Sequence, residues 1–188
     1  MALIPSPENL AELGLPSFNE AKEWSILQEA LSGIAVEVTQ LSAPCTLSAL
    51  QDELRKGYHV LHIVTHGVFQ QDQSVIVMED AEKQYDLVGE NEFSEMLTRI
   101  PTGDQQSTSG QLRLVYLDSC ETAMRDNRDA FRGFAPALVK AGVPAVIAMQ
   151  ELIEVGTAQA FASTFYRQLL IHGQVDLACN EARSALIT

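Results

Sequence analysis

Two short runs of the chain each place a chemically capable side chain directly after an apolar, β-branched segment. YHVLHIVTHG ends in His66 and Gly67, and LRLVYLDSC ends in Cys120. A thiol at a strand exit has an exposed edge, and a neighbouring imidazole supplies the base or ion-pair partner that makes sulfur nucleophilic. Gly67 adds a backbone N–H that a ligand can approach closely. Together with the N–H of Cys120 it forms a candidate oxyanion hole. The same residues also read as a buried cysteine at a strand end beside a capping histidine, and spacing alone leaves both readings open.

The remaining histidines and cysteines carry less. His59, His62 and His66 stand at i, i+3 and i+7, which on a helix is one face and a possible metal site. Val60, Ile63, Val64 and Thr65 between two glycines favour a strand instead, with His62 and His66 pointing one way and His59 the other. The metal reading is therefore rejected, no cofactor is expected, and His59 and His62 are read as packing or hydrogen-bonded residues. Cys45, Cys120 and Cys179 are an odd number at wide spacings, which is neither a disulfide framework nor a zinc pattern. The chain also lacks the glycine-rich phosphate loops, the G-x-S-x-G elbow and the H-E-x-x-H helix motif.

The elements that must position His66 and Cys120 alternate along the chain. A short extended run, Ala2 to Ile4, stops at Pro5 and Pro7. A helix follows through NEAKEWSILQEAL, with Ala21, Trp24, Leu27 and Leu31 at helical spacing behind Asn19. IAVEVTQL, after Gly33, reads as a strand. Thr46 or Ser48 caps a helix through Leu50 to Lys56 that Gly57 ends. The buried strand YHVLHIVTHG comes next, then a hairpin in SVIVMEDAEKQYDLV and a helix from Glu90 to Arg99. The polar stretch Pro101 to Gln111 reads as an exposed loop. After the strand LRLVYLDSC come a helix from Phe131 to Lys140, a strand in PAVIAMQ, and helices over Glu154–Ile171 and Val175–Leu186. Such alternation implies a mostly parallel sheet with helices on both faces, whose sites form beyond the carboxyl ends of the strands.

Composition narrows the partners. The 188 residues fit one domain, and 46% hydrophobic residues suffice for a core. Twelve basic against 25 acidic residues leave a formal charge of −13, which argues against nucleic acid and anionic membranes as partners. The acids are read chiefly as a solvated surface. No apolar run spans a bilayer and the start, MALIPSPENL, lacks the basic n-region and long apolar stretch of a signal peptide, so a cytoplasmic location is expected. The short first strand reads as the start of a piece excised from a longer chain.

HVLHIVTHG followed by LVYLDSCETA resembles the His-Gly and Cys motifs of caspase-like cysteine peptidases, and more closely those of the CHAT domain. The latter is a bacterial caspase-like module often joined to tetratricopeptide repeats. FRGFAPALVKAGVPAVIAMQELIEVGTAQAFASTFYRQLL resembles the C-terminal half of that domain, so the likeness runs from IPSPENL to NEARSAL. It implies a caspase–haemoglobinase-like three-layer sandwich, with His66 as catalytic histidine, Cys120 as nucleophile, and Gly67 and Cys120 as oxyanion donors. The order His then Cys agrees with that clan. A regulatory region such as tetratricopeptide repeats is the expected partner in the parent protein.

Two departures bear on specificity. Family members commonly carry a small residue two positions before the cysteine and glycine three after it, where this chain has Asp118 and Ala123. The D-S-C triplet resembles that of metacaspases, in which the acid lines the S1 pocket and selects Arg or Lys. Alternation puts Asp118 and Cys120 on one side of their strand. The ends of the first and fifth strands, which frame S1 in this clan, offer Glu8 and Glu151 and no arginine, so selection of Asp at P1 is rejected. Asp118 also reads as a plain turn or capping aspartate. The expected activity is an endopeptidase cutting a protein substrate after a basic residue, against an inactive recognition or assembly module. A nucleotide or flavin binder rests on fold analogy alone.

Overall fold

The computed structural model describes residues 1–17, 19–70, 73–100, 111–119, 131, 133–149 and 155–187. In chain order they form β1 (Ala2–Leu3), α1 (Glu20–Ala30), α2 (Leu47–Leu54), β2 (Val60–Thr65), β3 (Gly67–Gln70), β4 (Gln73–Glu79), β5 (Tyr85–Gly89), α3 (Glu90–Thr98), β6 (Leu114–Ser119), α4 (Phe134–Lys140), β7 (Ala145–Ala148), α5 (Val155–His172) and α6 (Val175–Ala185), with a 3-10 turn at Leu10–Leu13. They divide into two compact units, Met1–Asn19 with Thr39–Leu152, and Glu20–Val38 with Ile153–Thr188.

The first unit is built on a parallel sheet of order β1-β2-β6-β7. Every step moves the same way across the sheet, so right-handed crossovers must put the first unit's helices α2, α3 and α4 on one face. The core bears this out. Leu3, Leu61, Ile63, Val115 and Leu117 share one buried cluster with Leu50 and Leu54 of α2, Phe93 and Met96 of α3, and Phe134 and Leu138 of α4. Each such side chain taken fully from water contributes about 1.5–3 kcal/mol. Ala2, His62 and Tyr116 lie in register on the opposite face, where the rings of His62 and Tyr116 stack at 4.5 Å. The two central strands are thus buried on both sides, which explains their near-continuous apolar sequence. The mixed α/β architecture, with its all-parallel sheet and six helices among the described residues, is consistent with a caspase-like sandwich.

Local signals placed several elements. Thr46 caps α2 by accepting the Ala49 N–H at 3.0 Å, and Gly57, at φ 91°, turns the chain out of it. Pro136 sits in the first turn of α4, where its missing N–H costs no helical bond. In the second unit α5 and α6 form an antiparallel pair joined at Gly173, whose φ of 67° closes α5. Ala178 and Ala182 are the buried residues of α6, and their small size permits close approach.

Two expectations need correction. IAVEVTQL is not a strand. A strand needs a neighbour, and β1 is only two residues long, so the segment makes one bridge, Gln40 to Ala2. The Val36 N–H turns back to Ile34 O at 2.9 Å, and Val36 remains exposed. YHVLHIVTHG is likewise not one strand. It breaks at His66, and Gly67–Gln70 pairs with β4, so the expected hairpin has a third, antiparallel member in β3-β4-β5. The expected polar loop falls outside the described residues from Pro101 to Gly110.

Candidate active site

Register brings the two chemically capable strand exits side by side. β2 and β6 pair from Val60–Leu114 to the last rung, Thr65–Ser119. His66 follows Thr65 directly, and Cys120 follows Ser119 directly in the sequence. Neighbouring strands in a sheet run about 4.8 Å apart, so this pairing gives the two exits a common edge.

His66 is held by β4 and by a distant turn. The Val77 N–H donates to His66 O at 3.0 Å, and Thr65 Oγ1 donates to Val77 O at 2.6 Å. The ring is 2% exposed, and its Nε2 lies 3.1 Å from the carbonyl oxygen of Pro16. A carbonyl only accepts, so Nε2 carries the hydrogen and Nδ1 is the proton-accepting nitrogen of the neutral ring. Burial lowers the pKa of His66 below its ordinary value, and the Pro16 hydrogen bond works in the opposite direction.

Gly67 follows in β3, opposite Ile76. Because His66 and Val77 are a hydrogen-bonded pair, strict antiparallel alternation makes Gly67 and Ile76 a non-bonded pair. The Gly67 N–H therefore points away from β4. β4 itself lies on the β1 side of β2: Glu79 accepts the Ser6 N–H at 2.8 Å, and Lys83 O accepts the Glu8 N–H at 3.0 Å. Glycine is not needed here for its dihedral, since Gly67 is not among the positive-φ residues; what it offers is a backbone without a side chain.

Asp118 occupies the rung opposite Val64, one before the last, and is half-buried. It shares the Tyr116 face of β6, opposite the helix-packed face of Leu117. Glu8 is exposed in the segment after β1. Cys120, Ala123 and Glu151 lie outside the described residues. The structure thus brings together His66, Gly67 and Asp118 at adjoining strand ends. It adds the Pro16 carbonyl, which the sequence reading missed. A backbone acceptor fifty residues upstream carries no residue-type signal.

The other histidines have separate surroundings. His62 is stacked on Tyr116, and burial pushes its pKa down to about 3. His59 is exposed. Among the described residues no three of His, Cys, Asp or Glu assemble as metal ligands. No helix among them is long and apolar enough to cross a membrane.

A family model, the CHAT domain, matches residues 8–188. The chain belongs to the CHAT domain family. The match spans the Pro16 turn, both strand exits and the segments that join them, so the CHAT domain takes in the whole candidate site. A CHAT domain is a caspase-like, peptidase-type module, and the parallel sheet described above is consistent with it. No curated protein and no solved structure matches the chain.

Proposed function

We propose that this CHAT domain is a cysteine endopeptidase that cleaves a protein chain after Arg or Lys. The observation that carries the reading is the hydrogen bond from His66 Nε2 to Pro16 O, which makes Nδ1 the base beside the strand exit leading to Cys120. In this mechanism His66 Nδ1 takes the proton of Cys120 Sγ as sulfur bonds to the scissile carbonyl carbon. The N–H groups of Gly67 and Cys120 hold the resulting oxyanion. The imidazolium then protonates the leaving amine as the C–N bond breaks, and water, deprotonated by His66, hydrolyses the thioester. Burial disfavours a charged imidazole, so His66 rests neutral and acts as a general base rather than as half of a standing ion pair.

Asp118 supports the choice of a basic P1 residue. It is half-buried one rung before the end of β6, two residues ahead of the proposed nucleophile, where a carboxylate complements a guanidinium or ammonium. Glu151 is the proposed second acid of the pocket.

The test compares fluorogenic peptides with Arg, Lys or Asp at P1, on wild type and on Cys120→Ala. Wild type is expected to cleave after Arg and Lys, with turnover falling by at least about a thousandfold in the variant. Cleavage that survives in Cys120→Ala overturns the nucleophile, and a preference for Asp overturns the pocket. If there is no turnover and no covalent capture of a Lys- or Arg-directed electrophile, the domain is a recognition or assembly module.

A further inference from the structure

In the sheet β3-β4-β5, β3 is an edge strand, and its outer side carries no strand among the described residues. The bond from the Val77 N–H to His66 O fixes the alternation along it. His66 and Val68 direct their backbone groups to β4. Gly67 and Phe69, opposite Ile76 and Ser74, direct theirs away from it. The outer edge therefore presents two N–H and two C=O groups, beginning at the proposed oxyanion donor Gly67. An edge of this kind takes up an extended peptide by adding it as a further strand.

Side-chain alternation decides the direction in which a substrate lies there. Ile63 and Ile76 both belong to the helix-packed core cluster. Gly67 and Phe69 share the face of Ile76. Asp118 stands opposite Val64, and His66, two residues on from Val64, shares that other face. A basic P1 side chain that reaches Asp118 must therefore stand beside His66, which puts the following residue, P1′, beside Gly67. With the P1 carbonyl oxygen on the Gly67 N–H, this register is parallel. An antiparallel chain would pair P1 itself with Gly67 and turn its side chain to the helix-packed face, away from Asp118.

We infer that the substrate residues after the scissile bond bind as a parallel strand along the outer edge of β3, with P3′ beside Phe69. This rests on the peptidase reading, which puts the oxyanion on the Gly67 N–H and the P1 side chain toward Asp118. In that pairing Gly67 C=O accepts the P2′ N–H, and the Phe69 N–H donates to the P2′ carbonyl oxygen. The N–H groups of P1′ and P3′ point away from β3. Phe69 is 46% exposed and lies on the face that P1′ and P3′ share, so its ring meets an apolar P3′ side chain across the pair. Phe69 is thus a specificity-determining residue for the part of the substrate that leaves first.

The experiment uses the full chain and donor–quencher peptides with Arg at P1 and residues on to P4′. One peptide is N-methylated at P2′, one at P3′, and a further pair differs only in Leu or Ser at P3′. Methylation at P2′ removes the hydrogen that Gly67 C=O accepts and is expected to lower kcat/KM about tenfold. Methylation at P3′ is expected to cost less than about twofold. Wild type is expected to cut the Leu peptide about tenfold faster than the Ser peptide, and that ratio to fall to about one in Phe69→Ala. The methylated peptides need no variant, so the strand is tested on the unaltered protein. Equal penalties at P2′ and P3′, or a Leu-to-Ser ratio that Phe69→Ala leaves unchanged, overturn the parallel strand while the peptidase reading stands. A wild type that cleaves no Arg or Lys peptide overturns the peptidase reading, and the strand assignment with it.

Discussion

The Nε2 hydrogen of His66 is held by the carbonyl oxygen of Pro16, 3.1 Å away and fifty positions earlier in the chain. That one bond selects the tautomer and leaves Nδ1 as the proton-accepting nitrogen of the neutral ring. It also ties the proposed chemistry to a turn that no catalytic motif would single out.

The pH dependence of turnover follows from burial. His66 must be neutral to accept a proton, and desolvation lowers its pKa from 6.5. Activity is therefore retained as pH falls through 6.5 and is lost only below it. A kcat/KM profile on the Arg-P1 peptide is expected to show an acid limb with its midpoint under 6.5; a midpoint above that value contradicts a buried neutral base.

Gly14 ends the turn that precedes Pro16. It closes the 3-10 turn at φ 67°, with its N–H on Ala11 O at 3.0 Å, and a side chain there would meet nothing within 4 Å. Gly14→Ala therefore acts through the left-handed dihedral alone, at a cost of about 1–2 kcal/mol. We expect that loss in urea denaturation, together with a drop in kcat that an exposed control, Glu12→Ala, does not show.

His62 makes stability fall in acid. Its unfolded pKa is 6.5 and its folded value about 3, so the unfolded state binds a proton first. The contribution is fully present above pH 6.5 and is lost as pH falls toward 3. His62→Phe keeps a ring against Tyr116 and removes the titration. Urea midpoints measured across that window should fall less steeply in the variant than in wild type; parallel curves would contradict the assignment.

Glu79 is a buried clamp. Its two carboxylate oxygens accept the Ser6 N–H at 2.8 Å and the Cys45 N–H at 2.5 Å, tying the segments after β1 and before α2 to β4. Glutamine offers one acceptor and sets an NH2 against the other N–H. Glu79→Gln is expected to cost about 1.5–3 kcal/mol in urea denaturation, the range for hydrogen bonds to charged groups. A change under about 0.5 kcal/mol would show that the carboxylate is not needed.

Asp118→Asn tests the proposed pocket. For a half-buried carboxylate facing a basic P1 residue, kcat/KM on Arg and Lys peptides should fall by about 10- to 100-fold, equivalent to about 1.4–2.8 kcal/mol. Cleavage after a neutral P1 residue should change little. Equal losses on both would give Asp118 a structural role.

What could be read from sequence was local. The β-branched runs marked β2 and β6, Thr46 and Gly57 marked the ends of α2, and the order of strands and helices implied a parallel sheet. The same local logic failed at IAVEVTQL, where the pattern suits a strand but β1 offers only one bridge. It placed His66 at the strand exit but did not show that the chain there leaves one sheet and enters another.

By itself, then, the sequence marked His66, Gly67, Asp118 and Cys120 as candidates for chemistry, each expected at a strand end. Tertiary structure alone decided which nitrogen of His66 carries the hydrogen, where the chain leaves one sheet for another, and which backbone N–H groups Glu79 accepts from. The physical reason is common to all three. Propensity and periodicity are set by neighbours a few residues apart, whereas these features depend on backbone donors and acceptors brought in from afar, and every residue type carries the same carbonyl.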